Sequence, residues 1–254
     1  MCEHELFDLE TKPGKRVGGY CTTLPEYKAP FIFSNFNGTS ADADVLTHEA
    51  GHAFQAYLAS RTQPLSDYTW STSEVAEIHS MSMEHFAYPY MEGFFGENAE
   101  KYRRAHLAGA VASVPYLVCV DEFQHGVYAD PSMDGMGRRK LWSEIEKKYM
   151  PWRDYDGNRF LEEGGFWMQK QHIFLYPFYY IEYALSQICA FQYYGRMRED
   201  RGAAWADYLR LCRAGGTKGY FELLEEGRLL NPFREGTVEK ATAPVIKEIR
   251  KRYR

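Results

Sequence analysis

His48-Glu49-Ala50-Gly51-His52 sets two imidazoles four residues apart, with a carboxylate directly after the first. On a helix, positions i and i+4 share a face, so both rings can reach one cation. Glu49 then lies close enough to touch a water on that cation rather than the cation itself. Zinc lowers the pKa of such a water from about 16 to about 7, and a neighbouring carboxylate can accept its proton while the metal polarises a carbonyl. The bland alternative is a solvated helix face carrying two histidines and a glutamate. Apolar flanks weigh against it, and so does Gly51. A glycine inside a helix costs about 1 kcal/mol relative to alanine, which implies that something packs closely there.

A catalytic zinc usually takes three protein ligands and keeps one position open. Extending the motif to a third histidine would need glycine at 55 and histidine at 58, but the chain has Gln55 and Leu58. A carboxylate from the following helix is the alternative, with Glu74, Glu77 and Glu84 as candidates. Spacing favours Glu77. His52 stands about eight residues before the expected end of its helix, ~12 Å along the axis. Glu77 stands about five residues into the next, ~8 Å along it, so an antiparallel hairpin brings the two level. Glu77 and Glu84 are i and i+7, on one stripe with Met81. Two carboxylates among Ile78, Met81, Met83 and Phe86 are costly to bury without a cation or donors. Glu84 therefore fits a supporting role, bonding a ligand histidine and fixing its orientation.

The elements that must position these residues follow from local signals. Phe31 to Phe36 reads as a strand closed by the turn Asn37-Gly38, a strong turn signal. An exposed edge on that strand would suit pairing with an extended peptide. Thr39 to Asp44 offers N-cap candidates for a helix running to about Ser60, with Val45, Leu46, Phe54, Tyr57 and Leu58 as its apolar residues. Further helices are expected over 72–91, 98–128, 138–149, 160–175, 178–197, 203–214, 221–224 and from Ala243 to Tyr253. The fold class is mainly α with a small strand component near the start.

Composition narrows the function classes. Lys plus Arg total 30 against 35 acidic residues, a net charge of −5, without the basic excess of a nucleic-acid footprint. The five cysteines (Cys2, Cys21, Cys119, Cys189, Cys212) form no C-x-x-C pair, so no disulfide framework is suggested. The most apolar stretch, Leu107 to Val120, is shorter than a membrane span and contains Pro115. With a polar, acidic Met1–Glu10 and no signal peptide, the expected setting is cytoplasmic, with no membrane and no nucleic-acid partner.

Several segments in order resemble one family. Asn35-Phe36-Asn37-Gly38-Thr39, His48 through Gln55, and Glu77-Ile78-His79-Ser80-Met81-Ser82-Met83-Glu84 are similar to the oligoendopeptidase F branch of the M3 (thimet oligopeptidase-like) metallopeptidases. So are Gly18-Gly19-Tyr20-Cys21 and the run from His172 to Tyr183. The likeness covers essentially the whole chain. It implies a zincin-like helical metallopeptidase catalytic domain with a small β-sheet near the active-site helix, cleaving short unstructured peptides around a deep channel. It also implies one Zn2+ per chain on His48, His52 and Glu77, with Glu49 as the base and Glu74 as the rival ligand in a looser alignment.

In the third block the resemblance points to His172, Tyr180 and Tyr183 as groups that bind substrate and stabilise the developing oxyanion, with Tyr176 or Tyr179 as alternatives to Tyr180. Phenol hydroxyls in a water-poor cleft are suited to that task. The remaining histidines (His4, His79, His85, His106, His125) have no competing metal spacing and read as surface or satisfied core residues. Members of the family are longer, with a helical N-terminal half that forms the opposite channel wall. The expectation is therefore a single catalytic domain over 1–254 lacking that half. A separate chain or self-association would complete the channel, and a catalytically silent peptide-binding fragment is the alternative.

Overall fold

Asn37-Gly38 turns the chain from strand to helix, with Gly38 at a φ of 83°. The Asp42 carboxylate accepts the backbone N–H groups of Asn37 and Gly38, so the turn is fastened from inside the first helical turn. In the computed structural model, which describes residues 1–251, three strands precede it: β1 (Phe7–Glu10), β2 (Tyr20–Leu24) and β3 (Ala29–Phe36). The sheet order is β1-β3-β2, with β1 parallel and β2 antiparallel to β3. Phe7 and Cys21 both lie opposite Ile32. The free edge expected on Phe31–Phe36 is therefore absent, because β3 is central and paired on both sides. Among the described residues β1 and β2 are each paired on one side only, and the edges lie on them instead.

The rest is helical: α1 (Ser40–Thr62), α2 (Ser73–Phe86), α3 (Glu92–Phe95), α4 (Ala99–Ala129), α5 (Gly135–Tyr149), α6 (Gln171–Leu175), α7 (Tyr180–Glu199), α8 (Arg201–Ala214), α9 (Tyr220–Glu226) and α10 (Thr237–Ile249). The mainly α class with a small sheet is as the sequence implied. The last helix ends at Ile249, and the expected reach to Tyr253 lies outside the described residues.

Backbone contacts divide the chain into two units, one of Met1–Leu107 with the chain from Ser186 onward, and one of Ala108–Leu185. The first holds the sheet, α1 and α2, and its core gathers Val75, Ile78 and Phe86 of α2 with Tyr193, Tyr208 and Leu211. The core of the second is built on Phe123, Trp142, Ile145 and Trp167. In this second unit the helix expected over 160–175 is broken into a wide turn at Leu161–Gly165, a tight one at Phe166–Gln169, and α6. Gly164 explains the break. Its φ is 88°, and a Cβ there would lie 1.9 Å from the carbonyl oxygen of Arg139, so regular helix and close approach to α5 are incompatible.

The buried residues of α1 are the small Ala43, Gly51, Ala53, Ala56 and Ala59 and the polar Thr47, Glu49 and Gln55, rather than the large apolar side chains that mark the helix in the sequence. Tyr57 is 45% exposed. Small residues let the backbones of α1 and α2 approach, and Gly51 is the limiting point. A Cβ on it would meet the His79 carbonyl oxygen and the Ser80 Cα, each at 2.6 Å. Gly51→Ala is expected to lower stability by about 1–3 kcal/mol, the scale of core overpacking, despite its better helix propensity. Denaturant unfolding measures this, and a gain in stability would contradict so close a contact.

Candidate metal centre

The α1–α2 approach sets the geometry of the site. His48 and His52 project from α1 and meet Glu77, which is 4% exposed, from α2. The Nε2 atoms of His48 and His52 lie 3.1 Å and 3.5 Å from Glu77 Oε2, and all three ligand atoms fall within 4.8 Å of one another. Donors bonded to one tetrahedral zinc at about 2.0–2.2 Å sit roughly 3.4 Å apart. Two imidazole nitrogens and a carboxylate oxygen at this separation fit such an ion in both type and spacing.

The electrostatics point the same way. Burial disfavours charge on His48, yet hydrogen bonds with Glu77 and Glu84 hold its imidazolium well above the ordinary histidine range. Burial likewise opposes ionisation of Glu77, and His48 and His52 nevertheless hold it well below the usual carboxylate range. Converging carboxylates and imidazoles give the group a strong preference for added positive charge, whether proton or metal ion. Glu74, the rival in the sequence, is not in the group. Its carboxylate accepts the Thr72 hydroxyl in the first turn of α2 at 2.8 Å.

Glu49 is buried beside the ligand histidines. The Cys21 backbone N–H of β2 donates to its carboxylate, while Oε2 has no hydrogen-bond partner among the described residues. Burial raises its pKa, and the charges of His48 and His52 pull against that rise. A buried carboxylate with one oxygen held and the other bare beside a cation site is equipped to accept a proton.

Glu84 lies 2.7 Å from His48 Nδ1 through Oε1, and its Oε2 lies 2.8 Å from His106 Nε2. Burial opposes its ionisation, but the hydrogen bonds from His106 and His48 bring its pKa down to about 2. His106 thus sits against the site, a placement that no spacing in the sequence signals because it arrives on α4. Cys21 is likewise visible only once β2 is laid beside α1. Of the other histidines, His4 and His125 lie at the surface as expected, while His79 and His85 are core residues but not satisfied ones, since neither ring nitrogen of either has a hydrogen-bond partner among the described residues.

His172, Tyr180 and Tyr183 are brought together within the second unit. The His172 ring centroid is 5.2 Å from that of Tyr180 and 6.1 Å from that of Tyr183. Tyr179 stacks on it at 6.0 Å with planes 15° apart. Tyr176 precedes α7, outside regular helix, and remains 6.3 Å away.

The family model for peptidase family M3 matches residues 1–241, and the chain belongs to that family. It is 25% identical over 226 residues to an oligoendopeptidase F homolog of Borreliella burgdorferi, covering 86% of this chain and 37% of that protein. A solved structure of PZ peptidase A with an inhibitor superposes with a TM-score of 0.94 at 53% identity, covering 98% of this chain and 44% of that one. A Bacillus anthracis protein assigned as an oligoendopeptidase F gives 0.84 at 47%, covering 98% and 41%. The chain thus spans about two fifths of the length of these relatives. Among the described residues no helix is long and apolar enough to cross a membrane.

Proposed function

We propose that this chain is the catalytic portion of a zinc-dependent endopeptidase that hydrolyses short, unstructured oligopeptides. The carrying observation is the convergence of His48, His52 and Glu77 beside Glu49, whose Oε2 is bare. His48, His52 and Glu77 would hold one Zn2+ per chain. When bound, that ion supplies polarisation of the scissile carbonyl and acidification of the attacking water. Glu49 accepts the water proton at Oε2 and passes it to the leaving amine. Burial strengthens it as a base, and the Cys21 N–H keeps its carboxylate turned. Glu84 holds the Nδ1–H of His48, leaving Nε2 for the cation.

The free edge of β2 accepts the extended substrate backbone by strand addition. His172, Tyr180 and Tyr183 bind substrate and donate to the developing oxyanion. That role rests on the family resemblance, and their clustering around one imidazole supports it. The five free thiols suit a reducing, cytoplasmic setting.

A second reading is favoured by one observation, the two-fifths coverage of the longer relatives. In it the chain is one catalytic domain that binds peptide and turns over only when an N-terminal half, or another copy, completes the channel. A quenched fluorescent peptide blocked at both ends separates the readings. Internal cleavage by the chain alone supports the endopeptidase. Zinc binding without cleavage, and turnover once an N-terminal half is added, supports the second. Cleavage only of peptides with a free C-terminus would sink endopeptidase action.

A further inference from the structure

Hydrogen bonds continue outward from the metal centre past Glu84. His106 Nε2 meets Glu84 Oε2, and the other nitrogen of the same ring, Nδ1, lies 2.6 Å from the hydroxyl of Tyr88. The ring is held from several sides. Tyr102 stacks on it at 5.7 Å, and Tyr88 and His85 meet it edge-on at 5.6 Å and 5.8 Å. Tyr102 in turn donates its hydroxyl to Asp44 of α1, whose carboxylate is 4.0 Å from His106 Nε2.

Proton bookkeeping along this line fixes both hydrogen bonds to Glu84, whichever charge the His106 ring carries. A histidine that offers Nε2 to a metal carries its proton on Nδ1, so His48 donates to Glu84 Oε1. An ionised carboxylate only accepts, so Oε2 must receive a proton from His106 Nε2–H. In the neutral ring Nδ1 then carries a lone pair and the Tyr88 hydroxyl donates to it, whereas in the protonated ring Nδ1–H donates to the Tyr88 oxygen. Each donor has one acceptor, and both Glu84 oxygens are occupied.

We propose that His106, oriented by Tyr88, is a positioning residue for the metal centre: it fixes the Glu84 carboxylate so that Oε1 holds the His48 ring with Nε2 aimed at the cation. The proposal rests on the reading of His48, His52 and Glu77 as zinc ligands. Without His106, Glu84 Oε2 is left buried with no donor. The carboxylate is then free to turn towards another donor, and that turn releases His48. Partners of ligand histidines are worth about 10- to 100-fold in metal affinity, so the chain should lose affinity on that scale from a residue that touches no ligand.

Zinc dissociation constants of the full chain, measured by chelator competition, test this. His106→Leu is expected to weaken zinc binding about 10- to 100-fold, and His106→Gln, which keeps an N–H donor for Glu84, to recover most of the loss. In a Glu84→Ala background His106→Leu should add nothing, because residues acting through one another are non-additive. Tyr88→Phe removes a single hydroxyl, serves if the leucine variant does not fold, and should weaken binding roughly two- to tenfold, the scale of one hydrogen bond. Zinc-binding wild-type chain with unchanged affinity in His106→Leu, or in Tyr88→Phe where it is the variant that folds, overturns the positioning role alone. Equal losses with and without Glu84 do the same. Wild-type chain that binds no zinc overturns the metal-centre reading itself.

Discussion

Glu49→Gln is expected to cut peptide hydrolysis by about 10²- to 10⁴-fold, the contribution of a positioned general base, while zinc remains bound. The substitution is nearly isosteric, and the amide oxygen can still accept the Cys21 N–H that holds the carboxylate. What disappears is the basic oxygen. Ligation is untouched because His48, His52 and Glu77 supply the donors. Stability should hold or rise slightly, since burial already disfavours the charged form of Glu49. Zinc content, unfolding and hydrolysis of a quenched peptide, taken on one preparation, separate these effects. Full activity in the glutamine variant would remove Glu49 from the reaction.

Glu77→Ala is expected to strip the site of its metal. Apparent zinc-binding energies of about 10–16 kcal/mol spread over about four ligands make one ligand worth on the order of 10²- to 10³-fold in affinity. Two imidazoles on one helix then remain, without the carboxylate that faces both. Glu74→Ala is the matched control, because that side chain bonds Thr72 at the start of α2 and is expected to leave zinc in place. Zinc retained in Glu77→Ala and lost in Glu74→Ala would move the third ligand.

What was legible in the sequence was what local geometry dictates. His48 and His52 share a helix face by spacing alone, and two helices in a hairpin put Glu77 level with them. Even the close neighbour of Gly51 could be inferred, because a helix-interior glycine needs a reason. The contributions of Cys21 and His106 could not be read. The first depends on the register of β2 against β3, and the second on a helix that begins 13 residues after α2 ends. The strand at Phe31–Phe36 was recognisable, but its neighbours were not, since β1 pairs with it in parallel although β2 intervenes in the chain. Gly164-Gly165 lies within the helix expected over 160–175, and the pair alone does not say that the helix breaks. The steric demand that breaks it, the carbonyl of Arg139, comes from another helix.

Zinc content per chain is the most direct measurement of the central claim. Purified chain, dialysed against trace zinc and assayed by atomic emission, is predicted to hold one zinc, and the His48→Ala/His52→Ala double variant to hold none. Zinc-free wild-type chain, or zinc retained after both histidines are replaced, would contradict it.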